Sequence, residues 1–117
     1  MQIDWTMRGT TVHESLQKKL QQQINKLERF LYGHCEARVI VTQEGEDAGA
    51  PRRTIEVIVR NRAGTFTARH ESRDLVESSN TVMQRIHAQV QRAHDKLIEA
   101  RRRGDESVVT LDAAEEA

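Results

Sequence analysis

The sequence predicts an α+β fold, in which two helices cover one face of a four-stranded mixed sheet in the chain order β-α-β-β-β-α. Two segments of the 117-residue chain have apolar residues three and four positions apart, the spacing of one face of an α-helix. Four shorter segments alternate apolar and polar residues, as half-buried strands do. Since each helix has one apolar stripe and each strand one apolar face, a single sheet with both helices on one side buries them all.

The first strand and the first helix are predicted within residues 1–33. Residues 1–7 alternate, and Arg8-Gly9-Thr10 ends the strand. A capping box of Thr11 and Glu14 is expected to begin the helix, and Gly33 to end it. The apolar face of this helix consists of Val12, Leu16, Leu20, Ile24, Leu27 and Leu31.

Three more strands are predicted at residues 35–43, 54–61 and 65–71. Residues 44–51 contain two glycines, three acidic residues and the single proline of the chain, which predicts a loop. Residues 62–64 can close a hairpin. A right-handed crossover through the first helix makes the first two strands parallel, whereas the other two joints are antiparallel.

The last helix is predicted over residues 73–103, which contain neither proline nor glycine. Asp74 and Glu77 lie in its first turns and three arginines in its last turn, so both ends suit the helix dipole. Gly104 is expected to stop the helix. Its apolar face consists of Leu75, Val76, Val82, Met83, Ile86, Val90, Ala93 and Leu97.

The charge divides the chain into a basic body and an acidic tail. The formal net charge is zero, but residues 1–103 hold 18 Lys and Arg against 13 Asp and Glu, which is +5. Residues 104–117 hold five acidic residues and no Lys or Arg, and are expected to be a disordered tail beside a domain at 1–103. With one cysteine, no signal peptide and no bilayer-length apolar run, a cytoplasmic protein is predicted.

Basic residues form a row on each helix. Arg85, Arg92, Lys96 and Arg103 follow one another at helical spacing, and Lys18, Lys26 and Arg29 do so on the first helix, with Lys19 at the border. No acidic residue interrupts either row. Such rows are usually solvated faces. If the helices lie side by side, however, the rows can share a surface that binds the phosphates of a folded RNA.

Catalytic and cofactor motifs are absent from the sequence. His34 and Cys35 are adjacent in a strand and should point to opposite faces, while His87 and His94 are seven residues apart on a helix, too far for one metal. The four aromatic residues, Trp5, Phe30, Tyr32 and Phe66, are expected in the core, which argues against recognition of bases by stacking. No enzyme activity, cofactor or metal site is therefore predicted.

Several segments resemble the ribosome hibernation-promoting factors, also called ribosome-associated translation inhibitors. They are the opening Met1-Gln2-Ile3, the segment Lys26 to Phe30 (KLERF), Asp74 before two apolar residues, and Asp95-Lys96-Leu97. The resemblance covers about residues 1–100 and includes the element order. The chain departs from the family at residues 77–80, which usually read Ala-Ala-Ile-Asp and here read ESSN, and at Ala88 and Ala93, where the family is often basic.

The resemblance implies a short family form that binds the small ribosomal subunit in the channel where messenger RNA and the tRNAs meet. Occupation of this channel would inhibit translation and keep idle, hibernating ribosomes inactive in stationary phase or under stress. Lys26, Arg85, Arg92, His94 and Lys96 match positions where the family is commonly basic. Lys18, Lys19, Arg29 and Arg103 are added as rRNA-binding candidates because they belong to the two rows.

Other interpretations stay open from the sequence. The chain could be a double-stranded RNA-binding or RNA-chaperone module with no link to the ribosome, or a small enzyme or protein adaptor. The acidic tail is either a solubilising end or a segment that follows the messenger path or tempers non-specific RNA binding. A monomer is expected, with no small-molecule substrate and no membrane partner.

Overall fold

The computed structural model describes residues 1–44 and 51–103. The strands are β1 (Gln2–Arg8), β2 (Cys35–Glu44), β3 (Arg52–Asn61) and β4 (Gly64–Ser72). The helices are α1 (Glu14–Lys26), which continues as a 3-10 turn (Leu27–Phe30), and α2 (Leu75–Arg103). Most of the predicted loop (45–50), Gly104 and the rest of the acidic tail lie outside the described residues.

The four strands form one mixed sheet in the order β1-β2-β3-β4. The β1–β2 pair is parallel and the other two pairs are antiparallel, with Val39 opposite Val57 and Val57 opposite Ala68. The predicted β-α-β-β-β-α fold with a mixed four-stranded sheet is therefore confirmed.

Both helices pack on one face of this sheet, where a single apolar core lies. The helices contribute Leu20, Ile24 and Ile86, which are fully buried, and the strands contribute Val57 and Phe66 in the same cluster. Charged residues alternate with these core positions and leave the opposite face of the sheet to solvent. Its exposed members include Asp4, Arg38, Arg60 and Arg69.

The start of α1 differs from the prediction. The helix begins at Glu14, and its N-cap is His13, whose Nδ1 accepts a hydrogen bond from the backbone N–H of Ser15 at 3.1 Å. The expected capping box of Thr11 and Glu14 is wrong, because Thr11 lies two residues before the cap. The helical segment also ends earlier than predicted: Leu31 is extended, and Gly33 adopts φ 85°, where a side chain would be strained.

A network of polar side chains caps the start of α2. The carboxylate of Asp74 accepts a hydrogen bond from the backbone N–H of Val76 at 3.0 Å, as an N-cap does. Behind it, the fully buried Ser78 contacts Ser72 Oγ at 2.7 Å and His70 Nδ1 at 3.2 Å. Ser78 belongs to the segment that departs from the family pattern, and these partners satisfy its hydroxyl.

Side chains of α2 cover the outer edge of β4. The side-chain amide of Gln89 donates to the backbone oxygen of Thr67 at 2.7 Å and accepts from its backbone N–H at 3.1 Å. One turn earlier, Arg85 donates to the backbone oxygen of Arg69 at 3.0 Å. These bonds occupy backbone groups that an edge strand otherwise offers to another chain.

Candidate nucleic-acid interface

The α2 basic row lies on the flank of the helix that faces away from α1. Arg85 reaches the edge of β4, and Arg92 and Lys96 follow it by seven and eleven residues on the same flank. Contacts with α1 come from the other flank, where Lys19 Nζ lies 3.5 Å from Asn80 Oδ1. The expectation that the two basic rows adjoin is therefore wrong, because the width of α2 separates them.

The basic residues predicted to form one row on α1 and the turn after it lie in two different settings. Lys26 and Arg29 line the groove that α1 and the 3-10 turn form with α2, which we call the interhelical groove. Lys19 lies beside Asn80, which also lines it. Lys18, in contrast, forms an ion pair with Glu14 at 3.3 Å, so an acidic residue does interrupt the predicted row at that position. The side chain of Arg103 lies outside the described residues.

The interhelical groove has a volume of about 580 Å³ and is lined by three kinds of side chain. Its cations are Lys26 and Arg29, with His87 on the α2 side. Amides come from both helices, and the apolar part is formed by Leu27, Phe30 and Met83. No acidic residue lines the groove within the described part of the chain. The amide-bearing side chains are Gln23, Asn80 and Gln84.

Aromatic and imidazole rings continue from this groove along α2. The Phe30 ring makes edge-to-face contacts with His87 and His94, with centroids 5.5 and 5.3 Å apart. His94 stacks on Tyr32 at 6.4 Å, and the guanidinium of Arg101 lies 5.0 Å from the Tyr32 ring centroid. The predicted site residue His94 thus lies between two aromatic rings, and its Nδ1 is buried with no hydrogen-bond partner among the described residues.

Two features of this ring series were not predicted. Tyr32 is 44% exposed, so the expectation that all four aromatic residues lie in the core is wrong for this one. Arg101 was not among the candidate site residues. The sequence held a signal for the position of Arg101 but not for its contact with Tyr32, because His87, His94 and Arg101 recur every seven residues and so share one face of α2.

The single cysteine lies in a setting that keeps its thiol protonated. Burial raises the pKa of Cys35, a hydrogen bond from Asn61 lowers it in part, and the Glu28 carboxylate raises it further. Asn61 Nδ2 lies 3.2 Å from Cys35 Sγ. His34 points away and pairs with Glu36 at 3.2 Å. This environment is the opposite of the electropositive one that activates a nucleophilic cysteine.

The described residues contain neither a metal cluster nor a membrane-spanning helix. No three His, Cys, Asp or Glu side chains come together there as a possible metal site. Neither helix has a stretch long and apolar enough to cross a membrane, again for the part of the chain that the structure describes.

Comparison with known proteins gives one family match. The model of a family described as "Sigma 54 modulation protein / S30EA ribosomal protein" matches residues 3–98. A search of curated proteins gives no match.

Two solved structures share the fold. The N-terminal domain of Protein Y from Thermus thermophilus aligns with a TM-score of 0.65 and 19% identity, covering 79% of this chain and 98% of that one. A ribosomal subunit interface protein from Coxiella burnetii aligns with a TM-score of 0.60 and 17% identity, covering 79% of this chain and 96% of that one.

Proposed function

Since the chain belongs to the family of the sigma 54 modulation protein and the S30EA ribosomal protein, we propose that it is a non-catalytic ribosome-binding factor. It binds rRNA in the messenger and tRNA channel of the small subunit, inhibits translation there and keeps idle ribosomes inactive. The name of the Coxiella burnetii relative, a ribosomal subunit interface protein, supports a ribosomal partner. The protein acts as a cytoplasmic monomer in stationary phase or under stress.

The observation that carries this proposal is the cationic interhelical groove. Lys26 and Arg29 are exposed at a site that no acidic residue of the described chain lines, so their charge is available to phosphate. Arginine can donate two hydrogen bonds to one phosphate, which favours it at such a site.

The separation of the two basic rows fits a channel better than a flat surface. Arg92 is exposed on the flank of α2 opposite to the interhelical groove. A protein enclosed by RNA meets phosphates on several sides, so the cations of the groove and those on the far flank of α2 can contact different RNA segments. Arg85, Arg92 and Lys96 are therefore proposed as a second rRNA contact, and Lys18 and Arg103 as lesser ones.

Sedimentation with ribosomal subunits tests the proposal. Purified protein is mixed with separated small and large subunits and run through sucrose gradients at increasing salt. We expect it to travel with the small subunit at low salt and to dissociate as salt rises, because phosphate contacts release counterions. Protein that stays at the top of the gradient with small subunits at low salt overturns the proposed function.

Charge removal locates the binding surface. The double variant Lys26→Gln/Arg29→Gln should weaken binding and reduce the slope of log affinity against log salt by about 0.7–0.9 for each lost phosphate contact. Arg38→Gln/Arg60→Gln is the matched control, since both arginines are exposed on the sheet face opposite the helices. An equal effect of both changes would show that the groove is not the contact. Arg92→Gln tests the second flank in the same way.

Two further measurements separate the alternatives. Equal affinity for generic duplex RNA and for the small subunit would favour the double-stranded RNA-binding alternative. Binding to the small subunit that neither competes with tRNA nor inhibits cell-free translation would overturn occupation of the channel while leaving ribosome binding intact.

A further inference from the structure

The interhelical groove contains an unpaired hydrogen-bond acceptor. Gln23 lines the groove, and its Oε1 atom is buried with no hydrogen-bond partner among the described residues. A buried polar atom without a partner is unfavourable unless something donates to it. Lys26 lies about one turn further along the same side of α1 and also lines this groove.

The groove also has an apolar part that a phosphate-binding surface does not need. Leu27 and Met83 are buried beneath it, and the ring of Phe30 is oriented by edge-to-face contacts with His87 and His94. A site that contacts only the RNA backbone needs cations and hydrogen-bond donors. The volume of about 580 Å³ lies within the roughly 300–1,000 Å³ of typical ligand sites.

We propose that this groove accommodates one unpaired RNA base. The base packs against Phe30 and Met83, and the side-chain amide of Gln23 turns toward the groove so that its Oε1 accepts from one of the N–H groups of the base. The adjoining phosphates pair with Lys26 and Arg29. This inference rests on the proposed function, in which the RNA is ribosomal, and adds a contact to a base where that function requires only contacts to phosphates.

Charge complementarity selects RNA as the occupant. Cations on one side of the groove lie beside an apolar floor and amides from both helices, and no acidic side chain of the described chain lines the groove. A nucleotide offers this combination of anionic backbone, flat apolar faces and N–H donors at the base edge. An apolar peptide helix would leave Lys26, Arg29 and the amides without partners.

RNA hairpins that differ at a single position test the proposal with the unaltered protein. The first hairpin contains one bulged adenosine, the second an abasic site at the same position, and the third is fully paired. Affinities are measured by fluorescence anisotropy at one salt concentration. Because contacts between a base and aromatic residues contribute substantially to binding, we expect the adenosine hairpin to bind roughly tenfold more tightly than the abasic one. A bulged purine without the exocyclic amino group should lose part of this difference.

The variant Gln23→Leu tests the acceptor, and Gln22→Leu is the matched control, because Gln22 is exposed on the same helix. Gln23→Leu should remove part of the preference for adenosine over the abasic site, as the purine without the amino group does. Its unfolding midpoint in urea should be unchanged or higher, since the buried unpaired acceptor is removed. Gln22→Leu should keep the preference.

The outcomes separate this inference from the proposed function. Equal binding of the adenosine and abasic hairpins by the unaltered protein overturns the base site, and sedimentation with the small subunit then still supports ribosome binding. A preference for the bulged base in a protein that does not sediment with ribosomes supports the base site and overturns the ribosomal function. Retention of the full preference in Gln23→Leu overturns the assigned acceptor.

Discussion

Replacing Gln89 by leucine should open the edge of β4. The two hydrogen bonds between the Gln89 amide and the backbone of Thr67, at 2.7 and 3.1 Å, are lost, while leucine preserves the size of the side chain. Glutamine and leucine have similar helix propensities, so α2 itself is not weakened. The change therefore isolates the contact between α2 and the strand edge.

The expected magnitude follows from these two bonds. A hydrogen bond within a protein contributes about 1 kcal/mol net, and Thr67 is only half-buried, so water replaces part of the loss. We expect the free energy of unfolding to fall by about 1–2 kcal/mol. This corresponds to a melting temperature lower by roughly 4–12 °C for a domain of this size.

Two assays check the effect globally and locally. Urea unfolding should show a lower midpoint with an unchanged slope. Amide hydrogen exchange followed by NMR should show a faster rate at the Thr67 N–H, which in the unaltered protein is held by Gln89. The freed edge should also make the variant associate at high concentration.

The matched control is Gln91→Leu on the same helix. Gln91 donates to Asp95, one turn away, at 3.1 Å, and such pairs contribute about 0.2–0.5 kcal/mol. If Gln89→Leu costs no more than this control, or if the exchange rate at Thr67 does not change, the argument that Gln89 closes the sheet edge is refuted.

Three further outcomes follow from the same contacts. Asn61→Leu should lower the free energy of unfolding, measured in urea, by about 2 kcal/mol. The Asn61 amide donates to the backbone oxygens of Tyr32 and His34 at 3.0 and 2.9 Å, and it accepts from the backbone N–H of Ala63 at 3.0 Å. Asn25→Leu, at an exposed position, is the control. Ser78→Ala should cost about 1 kcal/mol through its lost contacts with Ser72 and His70, and no change in the urea midpoint would contradict this. Burial raises the pKa of Cys35, so above the ordinary pKa of a thiol the folded chain keeps a proton that the unfolded chain releases. The free energy of unfolding should therefore fall as pH rises above that ordinary pKa. Cys35→Ala should flatten this dependence of stability on pH, measured by urea unfolding at several pH values.

The arrangement of strands and helices could be predicted because its causes are local. Alternation within residues 54–61 and helical spacing within residues 75–97 identify which side chains face the core, and burial of those side chains is what brings the sheet and helices together. The connection lengths then leave few ways to order the strands. The start of α1 was misplaced because His13 acts as the cap, and histidine is not among the residues that usually do so.

The basic site was predicted less completely. Spacing places Arg85 on a flank of its helix, but it does not say whether the neighbour on that flank is α1 or the edge of β4. Lys18 was predicted to be available to RNA, but it pairs with Glu14 one turn earlier in the helix. Tyr32 and Arg101 were missed because their contact joins residues far apart in the chain.

The sequence by itself determined the order of the elements, the apolar faces that form the core and the excess of basic residues in the body of the chain. These properties depend on residue type and on spacing along a single element. Only the tertiary structure decided that Lys26 and Arg29 border a groove with Gln23 and Met83 while Arg85 covers a strand edge. The physical reason is that the direction in which a helix flank faces is set by packing between elements, which periodicity within one helix does not record.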